Sequence, residues 1–393
     1  MVLEGAVRRS PAVRWTTGYF LLFVCLGLDI AILGPTLSSL AGQTGAGLSQ
    51  MGLLFLLGSA GGVLGTALSG PVFDRWNGHA VLGGAQLLAA ALIALVPAAP
   101  AFWVLAALMA VKGVAQGLVN TGANILLTWT HRERSGPYMN ALHFFFGLGA
   151  VLAPFLVARL TGIPAGYRLA YWGLSAFAGL VGLSVLAQRA CPQPRHDRAM
   201  AARAPGPSPW PLVTLAALFL FFYVGAEISF GGWVYTYARR LGLASEAGAA
   251  YLSSAFWLAF TGGRLASIPV STRAAPQRVL LAAATGCLLA ILAVLLRAGS
   301  AGVLWGATLL LGFCMGPIWP TGFTLASRSV ALTGRMSAVV ILGDAFGCMV
   351  LPSALGKVIE STGPRSMIFL IGTSLVLNLL ALGGMLWVRA RRR

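Results

Sequence analysis

What this sequence lacks is charge, and negative charge above all. Of its 393 residues only 9% are charged, with 9 Asp and Glu against 27 Lys and Arg. A water-facing surface needs roughly 25% charged residues, so a soluble globular domain is excluded. Cysteine is scarce too: Cys25, Cys191, Cys287, Cys314 and Cys348 show no C-x-x-C spacing, which argues against a disulfide framework or a zinc site. A G-x-x-x-x-G-K-[ST] loop is missing, so an ATP-driven pump is not expected. Strict alternation of apolar and polar residues is also missing, which excludes the strands of a membrane barrel. No nucleophile, base and metal-ligand grouping recurs at catalytic spacing; neither an enzyme nor a cofactor is expected.

What is present is hydrophobicity. Apolar residues make up 58% of the chain, and the mean hydropathy is +0.83. A hydrocarbon core of about 30 Å takes roughly 20 helical residues. Twelve such stretches stand between Gly, Pro and Arg breaks: 15–40, 48–69, 79–98, 102–129, 138–159, 168–188, 211–238, 247–268, 278–297, 301–326, 336–359 and 366–388. The expected fold is therefore an all-α membrane protein, with twelve transmembrane helices in two pseudo-symmetric six-helix bundles. The bundles cover 1–189 and 211–393. Between them, 190–210 carries Pro192, Pro194, Pro205, Pro207 and Pro209 and reads as a cytoplasmic linker.

The net charge of +18 would suggest nucleic acid in a soluble chain, but here the basic residues punctuate the spans. Of the 27, nineteen fall on the side of the termini, with Arg264 counted there at the end of span 8. Seven fall on the opposite side, and Lys112 is left inside span 4. This bias predicts both termini in the cytoplasm and a multi-pass protein of the plasma membrane. Its partners are expected to be the lipid bilayer and a small solute, without nucleic acid, and the chain is expected to be a monomer. Trp15, Trp103, Trp129, Trp172, Trp210, Trp305 and Trp387 lie near span ends, where indoles favour the headgroup level.

The halves repeat. Gly27-Leu28-Asp29-Ile30 with Gly34 in span 1 matches Gly225-Ala226-Glu227-Ile228 with Gly232 in span 7, at an offset of 198 in residue number. The same offset relates Gly149 to Gly347 and Pro154 to Pro352 in spans 5 and 11. Repeated halves around a midplane site are a plan of secondary transporters.

Asp29, Lys112, Glu227 and Asp344 sit well inside apolar spans. A central charge costs about 2.5–3.5 kcal/mol to insert, so these side chains must face the protein interior. They are candidates for ion coupling or protonation, with helix-locking pairs as the bland alternative. By helical rise Lys112 and Asp29 reach similar depth, about 15–16 Å from the outer ends of their spans, so an ion pair between them is expected if spans 1 and 4 are neighbours. Such a pair, made in one conformation and broken in another, would turn protonation of Asp29 into a conformational bias.

Lys112, Gln116, Asn120 and Asn124 recur every four residues and share a helix face. With His143 in span 5, Tyr223 and Trp233 in span 7, Trp257 in span 8 and Trp319 in span 10, they offer donors, acceptors and aromatic plates. That mixture suits a sugar or polyol, whose hydroxyls need pairing and whose C–H faces need apolar cover. Interhelical polar packing is the alternative for any one of them.

The loop Gly70-Pro-Val-Phe-Asp74-Arg75-Trp-Asn-Gly78-His79 resembles the cytoplasmic G-x-L-A-D-R-x-G-R-[RK] signature of the major facilitator superfamily. The trailing basic pair of that signature is reduced to His79. The resemblance implies that Asp74 and Arg75 gate the cytoplasmic side. Cys25-Leu-Gly-Leu-Asp29-Ile, Val119-Asn120-Thr121-Gly122-Ala123-Asn124, Phe222-Tyr223-Val224-Gly225-Ala226-Glu227 and the run Leu142–Ala150 are similar to the fucose permease and sodium-dependent glucose transporter branch. It implies proton coupling at Asp29 and a sugar contact at Asn124. Asn120 stands where fucose permease has a glutamate, so a second carboxylate would have to come from Glu227 or Asp344.

The expectation is a secondary transporter moving a sugar or similar polar solute by alternating access. Its coupling ion is expected to be H+ ahead of Na+, acting through Asp29. A drug or amphipathic-compound efflux antiporter on the same fold is the alternative, and a membrane scaffold or receptor is a third reading.

Overall fold

A computed structural model of the chain describes residues 11–188, 190–192, 210–329 and 334–391. Most of the expected linker 190–210 lies outside the described residues. These residues form α1 (Pro11–Thr44), α2 (Leu48–Arg75), α3 (Gly78–Leu95), α4 (Phe102–His131), α5 (Ser135–Leu160), α6 (Gly166–Leu186), α7 (Trp210–Arg240), α8 (Glu246–Arg273), α9 (Pro276–Leu296), α10 (Ala301–Met315), α11 (Ile318–Ser329), α12 (Gly334–Thr362) and α13 (Ser366–Ala390). The expected tenth span is broken at Gly316-Pro317 into α10 and α11, because a proline withholds its N–H and its ring clashes with the preceding turn.

Eleven spans, with α10 and α11 joined as one, are long and apolar enough to cross a membrane. The remaining helix, α8, has 28 residues, enough for a crossing. It is less apolar than the other spans, carrying Glu246, Arg264, Arg273 and several Ser, Thr and Gly residues. Arg264, counted above among the loop cations, is placed differently by the structure. The helix runs on to Arg273, nine residues and about 13 Å beyond it.

Helix ends follow local chemistry. Asn77 accepts from the N–H groups of His79 and Ala80 at the start of α3, and Ser245 and Ser300 cap α8 and α10 in the same way. The turns that follow α1 and α7 use Gly45 and Gly242, both at φ +66°; those after α5 and α12 use Gly162 and Gly363, at +92° and +91°. The left-handed region favours glycine. Equal angles at corresponding turns extend the internal repeat from residue identity to backbone conformation.

Within the first half α1 crosses α5 closely, because a Cβ on Gly27 would strike the carbonyl oxygen of Phe146 and one on Gly149 that of Val24. The second half repeats this crossing between α7 and α12, where Gly347 faces the carbonyl of Phe221. Such contacts need residues without side chains. Between the halves, α2 packs on α12, α5 on α8 and α1 on α7. At the last of these, Gly34 lies against the carbonyls of Gly231 and Gly232.

An even number of crossings returns the chain to the side on which it began, here called the terminal side; the other is the far side. Contacts between halves concentrate on the far side. The Ser49 N–H donates to Glu360 Oε2 at 2.8 Å, Ser254 Oγ donates to the Val151 carbonyl at 2.6 Å, and the rings of Phe155 and Tyr251 lie 5.7 Å apart. Toward the terminal side α2 and α12 instead expose Leu64, Leu68, Ile341 and Leu342. The buried core divides accordingly. One apolar cluster joins both halves across the far side, and a separate one, around Tyr19, Leu22, Leu82, Val119 and Leu126, fills the terminal-side part of the first half. Among the described residues, the hydrogen bonds that join the halves lie toward the far side.

Candidate functional site

The first half contributes a buried ion pair. Asp29 on α1 is 3% exposed and Lys112 on α4 is 6% exposed. Lys112 Nζ donates to both carboxylate oxygens of Asp29, at 2.8 and 2.7 Å. Gln116, one turn along α4, donates to Oδ2 of the same carboxylate. Each acidic oxygen is thereby satisfied in a place where an unpaired charge would cost several kcal/mol.

From Gln116 the polar stripe continues toward the terminal side, alternating in exposure. Asn120 is exposed, Asn124 is half-buried and donates to the Asn120 carbonyl at 2.8 Å, and Thr128 is exposed. The stripe drifts off the face that Lys112 turns toward α1, since a step of four residues overshoots one helical turn. Beside it on α5, His143 is half-buried, its ring edge-on to Phe23 with centroids 5.5 Å apart.

The second half is arranged differently. Glu227, the counterpart of Asp29, is 7% exposed on α7. The counterpart of Lys112, at an offset of 199, is Leu311, which is buried and apolar. The cation comes instead from α8: Arg264 lies within electrostatic range of Glu227, of Asp344 on α12 and of His143 across the seam. Its guanidinium sits 4.6 Å from the centroid of the Phe260 ring, and its Nε is buried without a hydrogen-bond partner. Among the described residues the ion pairs are Lys112–Asp29 and Arg239–Glu246, so Arg264 closes on neither carboxylate.

The break in the tenth span belongs to this site. Ending α10 at Met315 frees a carbonyl, and Tyr223, on α7 one turn from Glu227, donates its hydroxyl to that oxygen at 2.7 Å. Trp319, at the start of α11, reaches Asp344 and stacks on Phe323 with 5.6 Å between centroids.

The two central tryptophans differ. Trp233 is fully buried and its Nε1–H donates to the Pro352 carbonyl at 2.9 Å, whereas Trp257, 2% exposed, has no partner for its Nε1–H. Tyr223 and Trp233 thus spend their polar atoms on helix packing in this conformation. Asp74 and Arg75 are exposed at the terminal-side end of α2 and make no ion pair among the described residues.

Sequence reasoning missed Arg264 as a site residue, although the charge was visible. Its depth was not, because the helix end could not be located from hydropathy in so polar a segment.

Similarity to known proteins gives the family. The family model described as Major Facilitator Superfamily matches residues 19–352. The chain belongs to the Major Facilitator Superfamily. It is a multi-pass membrane transporter by family, not an enzyme.

Among curated relatives, sodium-dependent glucose transporter 1A of Mus musculus is 31% identical, covering 85% of this chain and 87% of that protein. Sodium-dependent glucose transporter 1 of Danio rerio is 30% identical over 91% of this chain, and the chain spans 66% of that relative's length. Among solved structures, the inward-open conformation of a xylose transporter from E. coli aligns with a TM-score of 0.76 at 14% identity, covering 95% of each chain. A nucleoside transporter aligns at 0.72 with 16% identity, over 95% of this chain and 99% of that one. At these identities the structures speak for the fold. The expectation of protons ahead of sodium finds no support in the relatives, which are named for sodium dependence.

Proposed function

We propose that this protein is a secondary active transporter of a neutral sugar or similar polyol, coupled to a monovalent cation through Asp29. The observation that carries the reading is the buried Asp29–Lys112–Gln116 cluster, from which Asn120 and Asn124 continue along α4. Amide groups pair with hydroxyls in both directions, and the aromatic rings of both halves supply cover for C–H faces.

In this reading the bundles 1–189 and 211–393 rock about the central site. The terminal side is cytoplasmic by the excess of basic residues, the membrane is the plasma membrane, and the conformation described here faces inward. When a coupling cation occupies Asp29, Lys112 loses its counter-charge and must reorganise. Arrival of the ion therefore biases the two halves toward one arrangement. Sodium is the first ion to test, given the sodium dependence in the names of the relatives. Protonation of Asp29 is the second reading, since one carboxylate shared with an ammonium group is also the minimum needed for a proton switch. Glu227 and Asp344 serve as secondary charges in the same cleft, and Asp74 with Arg75 forms pairs on the cytoplasmic side when that side closes. The carrier works as a monomer.

The test is uptake into liposomes containing the purified chain, with labelled sugars and lipophilic cations presented under imposed sodium or proton gradients. Gradient-driven sugar accumulation, lost in Asp29→Asn, supports the proposal, and the gradient that drives it names the ion. Export of lipophilic cations without sugar flux replaces it with the efflux reading, and no flux of any solute rejects both.

A further inference from the structure

The seam between α5 and α8 is an antiparallel ladder. Tyr251 meets Phe155, Ser254 bonds the Val151 carbonyl, Trp257 meets Phe146, Thr261 lies against Gly147, and Arg264 lies within electrostatic range of His143. The first two rungs are packed and satisfied. At the third, Trp257 buries an indole N–H with no acceptor. A buried donor left unpaired is costly, and a purely packing tryptophan would spend it as Trp233 does on Pro352. The indole edge that carries this nitrogen faces Gly231, one turn along α7 from Glu227, where a Cβ would come within 2.8 Å of Cζ2 and 3.2 Å of Cε2. At the last rung Arg264 holds a second unpaired donor, and two carboxylates lie within its electrostatic range without contacting it.

We propose that α8 carries a solute subsite, in which Trp257 Nε1–H and the Arg264 guanidinium donate to hydroxyls of a polyhydroxy solute whose remaining hydroxyls donate to Glu227 and Asp344. This deepens the sugar-transport reading and rests on it. Two uncommitted donors two turns apart on α8, about 10 Å by helical rise, with acceptors on α7 and α12, suit separated hydroxyls of one polyhydroxy solute, each of which both gives and takes a hydrogen bond. The local balance of one cation against two carboxylates also sets selectivity. A sugar acid brings a third negative charge and is rejected, while a neutral sugar is accepted.

The experiment uses the full chain in proteoliposomes, with D-glucose, its monodeoxy analogues and D-glucuronate. Trp257→Phe keeps the ring and removes only the N–H. It is expected to raise KM for glucose about five- to tenfold, the loss of one neutral hydrogen bond, with kcat and the half-saturating cation concentration unchanged. One deoxy analogue should show the same loss in the wild type and no further loss in Trp257→Phe, because the missing hydroxyl and the missing donor are two ends of one bond. Arg264→Gln should pair with a different deoxy position. If it fails to fold, the Trp257→Phe series decides alone.

Losses that add at every deoxy position, or an unchanged KM, overturn the subsite while leaving sugar transport standing. Glucuronate uptake matching that of glucose overturns the charge argument. A wild type that carries none of the sugars fails the transport reading and the subsite together.

Discussion

The Asp29–Lys112 pair can be tested by a double-mutant cycle. At an effective dielectric of about 20, unit charges about 3 Å apart attract by roughly 5–6 kcal/mol, and desolvating both ions offsets much of that gain. Lys112→Met leaves the Asp29 carboxylate buried with Gln116 as its one remaining donor. Asp29→Asn strands the Lys112 ammonium in the same apolar place. Each single change should cost about 3–5 kcal/mol, the usual penalty for breaking a buried pair from one side. The double variant removes both charges and should recover most of that loss, leaving a coupling of about 2–4 kcal/mol. In a thermal melt of detergent-solubilised protein, about 3 kcal/mol corresponds to a Tm change of roughly 6–12 °C for a unit of about 200 residues. Uptake assays on the same variants read the functional consequence: Lys112→Met should shift the ion dependence of transport. A double variant as unstable as the two single ones added together would refute the pairing energetics, and an unchanged ion profile would refute its role in coupling.

Three further outcomes follow from the packing. Gly27→Ala drives a methyl into the Phe146 carbonyl and should lower stability by about 1–3 kcal/mol, while Gly42→Ala, with open space around it, should gain up to about 1 kcal/mol of helix propensity; paired melting curves compare them. In a cysteine-free background, Val151→Cys with Ser254→Cys, joined by a short cleavable thiol cross-linker, should abolish transport by holding the far side shut, and cleavage should restore it; full flux while cross-linked would rule out alternating access at this seam. Asp74→Asn should change stability by less than about 0.5 kcal/mol, since the residue is exposed and unpaired here. It should nevertheless slow transport if pairs form when the terminal side closes, as stopped-flow uptake would report.

Much of this architecture was legible in the residues. Runs of apolar side chains mark helices because a bilayer leaves the backbone no other way to satisfy itself, and the glycines at 27, 149 and 347 mark close crossings because only a missing side chain allows them. Helical rise alone brought Asp29 and Lys112 to one depth. The break after Met315 was harder to see, since Gly-Pro occurs often in membrane helices and only the Tyr223 hydroxyl, reaching from another helix, stabilises the freed carbonyl. Arg264 was obscured for a related reason. Hydropathy averages over a window, so in a helix this polar the span is found but its end falls at 268, five residues short of Arg273, which leaves Arg264 near the edge. Trp233 and Trp257 were equivalent as letters; only the partner of each indole N–H separates them.

The contact of Gly34 with Gly231 and Gly232 has a mechanical consequence. Seams built from interlocked side chains resist rotation, because every knob must ride out of its socket before the surfaces can turn, and the barrier grows with the depth of the sockets. Here Gly34 meets the backbone of α7 directly, while the ring of Phe55 sits on Gly232 beside it, so in the proposed rocking motion this crossing has one smooth contact and one aromatic knob to move. Resistance to that motion would then be shared between the Phe55 ring near the middle and latches at the rim such as Ser49 with Glu360, where a single hydrogen bond acts at the end of a long lever.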